Sequence, residues 1–312
     1  VFTLSVDANA IVLDLDRGVI HPAGDGTNSL LFAEDLISLA ATVTDGDGDT
    51  ISESLDVGAL IQVIDGVPSL TVDGDFAGTL SVNENSLNTT VSTSLALAFE
   101  SAIGADGSLP ISYALEFNNA DPDSGLIDTL SQEAVILSFN GTVVEGRTQL
   151  SDELVFTISI DASGMLSFTQ LRSIIHPDSN NPADDLVFPA NVIEVAATLL
   201  DGDNDQAIAT IDLSTVVSIQ DAGPSLSVTA PDVGDLRVDE ASLGVNSSIP
   251  LNTVFSSNTG PDGGSVDYQF QLASNDSGLI DSLSGLPVLL SINAQGNVEG
   301  RAGGLLVFTL SV

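Results

Sequence analysis

The sequence contains no cysteine, no lysine and no tryptophan, and it has one methionine and two histidines. Without cysteine, neither disulfides nor thiolate-bound metals contribute to stability. A covalent catalyst is also missing, because no serine lies in a nucleophile elbow and no cysteine or lysine is present to act as a nucleophile. The sequence has no GxGxxG, P-loop or HExxH motif. These absences predict that the protein is not an enzyme.

Aromatic residues and long apolar runs are also scarce. Tyr113 and Tyr268 are the only tyrosines, which gives poor support to an aromatic platform for sugars and hence to a carbohydrate-binding module. No run of about 18 consecutive apolar residues occurs, so no segment is expected to insert into a membrane. No signal peptide is recognisable at the N-terminus. Since the sequence starts inside a repeat, we expect it to be part of a longer polypeptide.

The charge is almost entirely of one sign. There are 44 acidic residues against five arginines, for a net charge of -39. Nucleic acids and anionic membrane surfaces would be repelled by this charge, so neither is expected as a partner. The charge also opposes a compact fold, and divalent cations or high salt would relieve that repulsion. With 43% apolar residues, the chain is expected to fold rather than remain disordered.

The sequence repeats itself. A nearly identical six-residue segment occurs three times, at Val1–Val6, Val155–Ile160 and Val307–Val312. Between them the same motifs return in order: Ile20-His21-Pro22 and Ile175-His176-Pro177, Asp45–Asp49 and Asp201–Asp205, Asp65–Leu70 and Asp221–Leu226. This period is far longer than the roughly 20–50 residues of a solenoid repeat. Each unit is therefore large enough to be a domain, which favours a spacer, a stalk or a multivalent binder.

The local pattern is that of β-strands. Apolar residues alternate with polar or small ones in Val1–Val6, Leu39–Thr44 and Ile193–Leu199, a period that buries one face of a sheet. Turn residues separate these runs at intervals of about 8–12 positions, which is typical of a sandwich. The fold class is therefore all-β, with tandem antiparallel β-sandwich repeats of the Ig-like or cadherin-like kind. Only Ser94–Ile103 has a weak helical period.

Proline marks the ends of the repeats. Asp65–Pro68 and Asp221–Pro224 each precede a fresh alternating run, and proline ends a strand by removing an amide donor. The predicted organisation is the C-terminal part of one repeat at 1–67, one complete sandwich at 68–223 and the N-terminal part of the next repeat at 224–312. A cut near Asp152–Leu154 would instead give two small sandwiches per period, each marginal for an unstapled core.

Two acidic loops are the strongest site signals. Each places carboxylates at positions 1, 3 and 5 between two strand patterns: Asp45, Asp47 and Asp49 in the first, and Asp201, Asp203 and Asp205 in the second. Three carboxylates on one tight loop favour a hard cation, and Ca²⁺ accepts six to eight oxygen ligands in flexible geometry. An EF-hand is not favoured, because Thr50 and Gln206 stand where that loop needs glycine. The competing interpretation is a polar hairpin turn.

The repeat boundaries offer further carboxylates. Asp65 and Asp221 lie just before the boundary prolines, and Glu84 and Glu240 occupy matched positions at the start of the following repeat. We expect an acidic loop of one unit and a glutamate of the next to share a calcium ion across the junction. The alternative for Glu84 and Glu240 is an exposed carboxylate without a ligand role.

Three other matched motifs favour structure over chemistry. Asp123–Asp128 and its counterpart Asp276–Asp281 resemble Asx turns more than ion sites. The histidines His21 and His176 are expected to hold loops through ring hydrogen bonds, although histidine can act as a base or a metal ligand. The Glu-Gly-Arg pairs at 145–147 and 299–301 are expected to form local ion pairs of small energetic value.

Four motifs together carry a resemblance: the repeated strand Val1–Val6, the Ile-His-Pro step, the Ala-Ala-Thr strand before Asp45–Asp49, and the Asp-x-x-Pro-Ser-Leu boundary. With these motifs, the chain resembles the tandem repeats of giant bacterial adhesins of the RTX type, which are exported by type I secretion. Cadherin-like and VCBS-like repeats share the acidic loop and the boundary motif. The resemblance implies β-sandwich extenders of a surface or released fibre, ordered outside the cell by calcium at the two acidic loops. It implies an extracellular, secreted or cell-surface location.

The expected function is accordingly a structural extender, with neighbouring repeats of the same chain as partners. The alternative is a self-assembling filament or biofilm-matrix subunit, in which copies associate through β-strand pairing at exposed edges.

Overall fold

A computed structural model describes residues 2–22, 28–117, 122–232 and 234–312. The chain divides into two compact units, Val1–Gly223 and Pro224–Val312. Among the described residues, no helix has the length and apolar composition needed to cross a membrane. Both units consist of β-strands joined by turns and single-turn 3-10 helices.

The strands of the first unit are β1 (Phe2–Asp7), β2 (Ala10–Leu15), β3 (Ser29–Leu31), β4 (Ser38–Thr44), β5 (Thr50–Asp56), β6 (Gln62–Ile64), β7 (Ser69–Val72), β8 (Leu80–Asn83), β9 (Thr90–Ser94), β10 (Phe99–Ala102), β11 (Ser112–Phe117), β12 (Asp123–Ile127), β13 (Ala134–Asn140), β14 (Val143–Thr148), β15 (Leu154–Ile160), β16 (Met165–Gln170), β17 (Asp185–Val187), β18 (Ile193–Leu200), β19 (Gln206–Asp212) and β20 (Val217–Gln220). Those of the second are β21 (Ser225–Val228), β22 (Phe255–Asn258), β23 (Asp276–Ile280), β24 (Pro287–Ile292), β25 (Val298–Ala302) and β26 (Leu305–Leu310). The 3-10 helices are Gly58–Leu60, Glu84–Ser86, Ala96–Ala98, Leu213–Thr215, Glu240–Ser242 and Leu251–Thr253.

The larger sheet of the first unit has six antiparallel strands in the order β12-β13-β14-β15-β16-β9. Alternate side chains point to one face, as the two-residue period requires. On β15 and β16, this face carries Phe156, Ile158, Leu166 and Phe168, all fully buried. Apolar burial of this kind stabilises the fold by about 1.5–3 kcal/mol per large side chain.

A second layer covers that face. It contains the sheet β11-β18-β19, with β7 beside β19. Ile193 and Val195 of β18 join the same buried cluster as the six-stranded sheet, and Phe188 packs its ring 5.6 Å from that of Phe156. Two sheets with one apolar layer between them form a β-sandwich. The prediction of an all-β sandwich fold is confirmed.

The start and the end of this sandwich lie side by side. Strand β8 pairs in parallel with β20, and β20 pairs in antiparallel with β17. The side-chain amide of Asn83 donates to Gln220 Oε1 at 2.6 Å at one end of the parallel ladder. This pairing brings the chain before Glu84 next to the chain before Asp221, which positions the second cluster described below.

Residues 2–22 and 28–67 form paired strands with little core of their own. Strands β1 and β2, β3 and β6, and β4 and β5 pair two by two. Strand β4 repeats the sequence pattern of β18, yet Val43 is 66% exposed whereas its counterpart Leu199 is 2% exposed. The difference arises because no second layer covers β4 in the described part of the chain.

The second unit shows the same contrast on the other half of the repeat. It contains the sheets β23-β24-β25-β26 and β21-β22. Val288 and Val298 are buried, but Leu310 of β26 is 38% exposed while its counterpart Ile158 is fully buried. Identical strand patterns thus form in both places, and the compared side chains are buried only within residues 68–223.

The segment Ser94–Ile103, which has a weak helical pattern, does not form an α-helix, since one 3-10 turn at Ala96–Ala98 leads directly into β10.

The boundary between the two compact units lies between Gly223 and Pro224, at one of the predicted repeat boundaries. Residues 1–67 and 68–223, in contrast, belong to one unit. The three-segment organisation stays a prediction.

Candidate metal centre

The acidic loop Asp201–Asp205 connects β18 to β19. The backbone N–H of Asp205 donates to Asp201 Oδ1 at 2.8 Å, and the N–H of Asp201 donates to the Asp205 carbonyl at 3.1 Å. Asn204 takes the left-handed conformation, with φ 75°, a conformation that asparagine tolerates better than most residues. The loop is therefore a closed turn that gathers its carboxylates at one end of the sandwich.

The three carboxylates of this loop are buried, and several of their oxygens have no hydrogen-bond partner among the described residues. Asp201, Asp203 and Asp205 are 1%, 5% and 4% exposed. Within the described residues, Asp201 Oδ2, Asp203 Oδ1 and both oxygens of Asp205 lack a hydrogen-bond partner. Burying unpaired carboxylates costs several kcal/mol each unless a counter-charge is present.

Other segments bring further carboxylates to the loop. A bridge between Ser108 and Asp201 places Asp106 beside it, and Asp106, Asp201 and Asp203 each offer an oxygen within 4.8 Å of the others. The approach is close: a Cβ at Gly202 would lie 2.4 Å from the Asp106 carbonyl oxygen. The glycine at the second loop position is thus required by packing.

The segment before residue 67 closes the cluster. The backbone N–H of His21 donates to Asp203 Oδ2 at 3.0 Å, and His21 Nδ1 lies 3.4 Å from Asp65 Oδ1. His21, Asp65 and Asp203 are all buried and can offer ligand atoms within 4.8 Å of one another. Asp65 Oδ2 has no hydrogen-bond partner among the described residues. The loop of the complete repeat therefore meets the end of the preceding segment here.

The electrostatics follow from this crowding. Burial raises the pKa of Asp201, and the like charge of Asp203 raises it further. The pKa of Asp203 is lowered, since the His21 backbone N–H donates to it and outweighs burial. A divalent cation would remove both the repulsion and the unpaired oxygens. Carboxylate oxygens fit Ca²⁺, so Asp106, Asp201 and Asp203, with Asp65 beside Asp203, form the candidate calcium site. Asp205 lies on the same loop with both carboxylate oxygens buried and without a partner in the described structure, although it is in neither group of converging ligand atoms.

The matched loop Asp45–Asp49 has the same turn in a different environment. The N–H of Asp49 donates to Asp45 Oδ1 at 2.9 Å, and Gly48 has φ 99°. Asp45, Asp47 and Asp49 offer oxygens within 4.8 Å of one another, but all three are exposed. The pKa of Asp45 is lowered by hydrogen bonding with Asp47 and by the Asp49 N–H. Water solvates these carboxylates, so this loop has no comparable need for an ion.

The remaining predicted ligands are arranged differently from the expectation. Asp65 and Glu84 were expected to meet across a junction, but Asp65 lies with His21 and Asp203. Glu84 lies instead with Asp221 and His176 of its own repeat, because β8 and β20 pair in parallel. Glu84 is 1% exposed and is not a free surface carboxylate.

Glu240 has no such surroundings. It is exposed in the second unit and starts a 3-10 turn. No candidate group of ligating side chains among the described residues contains it. Its assignment as a calcium ligand therefore has no geometric support.

The Asp123–Asp128 motif is a pair of turns. Asp123 accepts the N–H of Gly125 at 2.9 Å, and its counterpart Asp276 accepts that of Gly278 at 2.9 Å. Asp128 is fully buried and binds Arg172 through two hydrogen bonds of 2.8 Å. Burial raises the pKa of Asp128, but Arg172 and Ser131 outweigh it, and the net shift is downward.

Replacing Asp128 by asparagine is expected to destabilise the protein by about 2–4 kcal/mol at neutral pH, since it leaves the charge of Arg172 unpaired. A lowered pKa stabilises the fold above the unfolded value and loses that effect as pH falls through the folded value. The deficit should therefore vanish in acid. Urea unfolding from neutral to acidic pH measures it, with D281N at the half-buried counterpart, which accepts from Ser284, as the control that changes less.

The Glu-Gly-Arg motifs form the expected local ion pairs. Arg147 Nε donates to Glu145 at 2.7 Å, and Arg301 Nε donates to Glu299 at 2.7 Å. The intervening Gly146 lets the ring of Phe156 lie against the backbone, where a Cβ would come within 2.3 Å of it. The motif is thus part of the core packing.

The family described as "Domain of unknown function (DUF5801)" matches residues 1–58, 79–214 and 235–312. The three segments make up most of the sequence. The chain belongs to this family. No curated protein and no solved structure matches it. The DUF5801 segments fall within the three predicted segments, and the middle one contains the loop Asp201–Asp205 and Glu84.

Two residues beside the acidic clusters of this DUF5801 chain, His176 and Asp106, were not predicted from the sequence to take part in ion binding. His176 was assigned a structural role, but its ring lies within reach of buried carboxylates and has no hydrogen-bond partner in the described structure. His21 has the expected ring contacts, with the carbonyl oxygens of Val19 and Val63 within hydrogen-bond distance. The Ile-His-Pro step, matched between repeats, was the available signal. Asp106 carried no signal, because only the bridge to Asp201 brings it near.

Proposed function

We propose that the chain is a structural extender segment of a large extracellular bacterial adhesin or surface fibre, ordered by calcium at the Asp201–Asp205 loop. One observation carries the proposal. Carboxylates from the complete repeat and from the preceding segment are buried together with unpartnered oxygens. A cation there would link the two segments, so neighbouring repeats of one chain are the partners.

The typical calcium affinity of extracellular sites supports an extracellular location. Extracellular calcium sites typically bind at about 10⁻⁴–10⁻³ M, so such a site would fill outside a cell and empty inside it. An emptied cluster repels itself and loosens the junction, which suits export of an unfolded chain. The resemblance to type I-secreted adhesin repeats points the same way.

The test is a thermal melt with matched small-angle scattering, in millimolar calcium and in excess chelator. We expect a higher melting temperature and a longer, stiffer particle in calcium, because the ion neutralises buried carboxylates. Magnesium at equal ionic strength is the control, since it demands near-ideal octahedral geometry and keeps its waters. Equal melting temperature and equal particle dimensions in calcium and chelator would refute the proposal.

A second candidate is a self-assembling filament subunit that associates through strand pairing. It is favoured by the apolar faces of β4 and β26, which are exposed here although their counterparts β18 and β15 are buried. The same scattering series at rising protein concentration separates the candidates: a monomer throughout excludes the filament.

A further inference from the structure

A second cluster of ligating side chains lies about the parallel β8–β20 ladder. Glu84 follows β8, Asp221 follows β20, and His176 follows the bridge between Asp128 and Ile174. One ligand atom from each of Glu84, His176 and Asp221 lies within 4.8 Å of the other two. The cluster belongs wholly to residues 68–223 and shares no residue with the Asp201–Asp205 loop.

Its polar atoms are held in place but not satisfied. Glu84 Oε1 accepts the side-chain N–H of Gln170 at 2.6 Å and the backbone N–H of Ile174 at 2.9 Å. Glu84 Oε2 is buried and has no partner among the described residues. The carboxylate is therefore fixed by one oxygen, and its other oxygen is buried without a partner in the described structure.

His176 is the more unusual member. Its side chain is 4% exposed, yet neither Nδ1 nor Nε2 has a hydrogen-bond partner in the described structure. Nε2 lies 3.8 Å from Glu84 Oε1 and Nδ1 lies 3.6 Å from Asp184 Oδ1, distances too long for hydrogen bonds. A buried imidazole with two unsatisfied nitrogens calls for a ligand.

The ring of the other histidine, His21, has carbonyl oxygens within hydrogen-bond distance. His21 Nδ1 lies 3.0 Å from the Val19 carbonyl oxygen, and its Nε2 lies 3.3 Å from that of Val63. A neutral imidazole donates to only one of these carbonyls at a time, but each ring nitrogen of His21 has an acceptor within hydrogen-bond distance, and neither nitrogen of His176 has a partner in the described structure. The two matched histidines therefore differ in their capacity to bind an ion.

We infer that Glu84, His176 and Asp221 form a binding site for a first-row transition-metal dication of the zinc class. Imidazole nitrogen favours such ions, whereas calcium prefers oxygen donors alone. Three protein ligands leave one position of a tetrahedral ion for water. The inference does not depend on the extender function or on the calcium loop.

Asp184 completes the arrangement. A metal-bound histidine usually donates its other N–H to a carboxylate, and Asp184 Oδ1 faces Nδ1 while lacking a partner in the described residues. The backbone N–H of Asp221 donates to the Asp184 carbonyl at 2.9 Å, which ties these two residues together. Ligand atoms on one tetrahedral zinc lie roughly 3.4 Å apart, and His176 Nε2 already lies 3.8 Å from Glu84 Oε1.

The test titrates the tag-free, chelator-treated chain with Co²⁺ and then displaces it with Zn²⁺, in millimolar calcium. We expect one saturable site with the visible absorption of nitrogen-ligated Co²⁺, and excess calcium should not remove it. H176Q should lose this signal, and E84Q should weaken zinc binding at least tenfold. D184N should weaken it about 10–100-fold. H21Q is the matched control and should bind as the parent does.

The competing outcome is an imidazolium held by three carboxylates. Nitrogen NMR of the parent chain with equimolar zinc distinguishes the two, because a His176 ring that keeps both N–H groups has no metal on it. That result would overturn the inference even if H176Q does not fold. Equal loss of the Co²⁺ signal in H21Q and H176Q would also overturn it.

Discussion

Replacing Asp201, Asp203 and Asp205 together by asparagine is expected to abolish most of the calcium-dependent rise in melting temperature. At about 10 mM calcium, a site with a dissociation constant near 10⁻⁴–10⁻³ M stabilises the native state by about 1.4–2.7 kcal/mol. For a unit of this size, that amounts to roughly 3–10 °C. Calorimetry of parent and variant with calcium and with chelator measures the increment.

The same variant should melt at a higher temperature than the parent in chelator, because it removes three buried carboxylates that repel one another. The control is the triple asparagine variant of Asp45, Asp47 and Asp49, whose loop has the same turn but is exposed. It should retain nearly the full calcium response. If both variants respond to calcium like the parent, the ion binds elsewhere.

Replacing Phe156 by alanine is expected to cost about 3–5 kcal/mol of unfolding free energy. Its ring is 1% exposed, stacks on Phe168 at 5.4 Å and meets Phe188 edge-on at 5.6 Å. It also lies directly against Gly146, where no side chain could move in to fill the cavity.

The matched control for that variant is F2A. Phe2 occupies the same position of the repeated motif but is 38% exposed, so its truncation should cost much less. Urea unfolding monitored by circular dichroism gives both values. A small effect of F156A together with a large effect of F2A would mean that the main core lies around residues 2–67 and not around Phe156.

The strands were predictable because their two-residue period depends only on local sequence. Leu39–Thr44 and Ile193–Leu199 alternate in the same way, and both form strands. Whether such a strand is covered was not predictable. Val43 and Leu199 occupy equivalent positions in the pattern, and their burial differs because of a layer contributed by distant residues.

For the two acidic loops, the turn geometry was likewise predictable and the burial was not. The turn geometry of Asp45–Asp49 and Asp201–Asp205 follows from sequence, and both loops close with the same hydrogen bonds. The burial of one loop and the exposure of the other depend on Asp106, His21 and Asp65, which lie far away in sequence. The partner of Glu84 was likewise set by a parallel strand pairing, which no local pattern encodes.

The parallel pairing of β8 and β20 has a mechanical consequence. The chain enters this ladder at Leu80, opposite Val217, and leaves it at Gln220, opposite Asn83. A pull applied at Leu80 and at Gln220 therefore acts along the strands from opposite ends of the ladder. All its hydrogen bonds are loaded in shear at once rather than being unzipped in turn. A pull between Leu80 and Gln220 would therefore meet the resistance of the whole ladder.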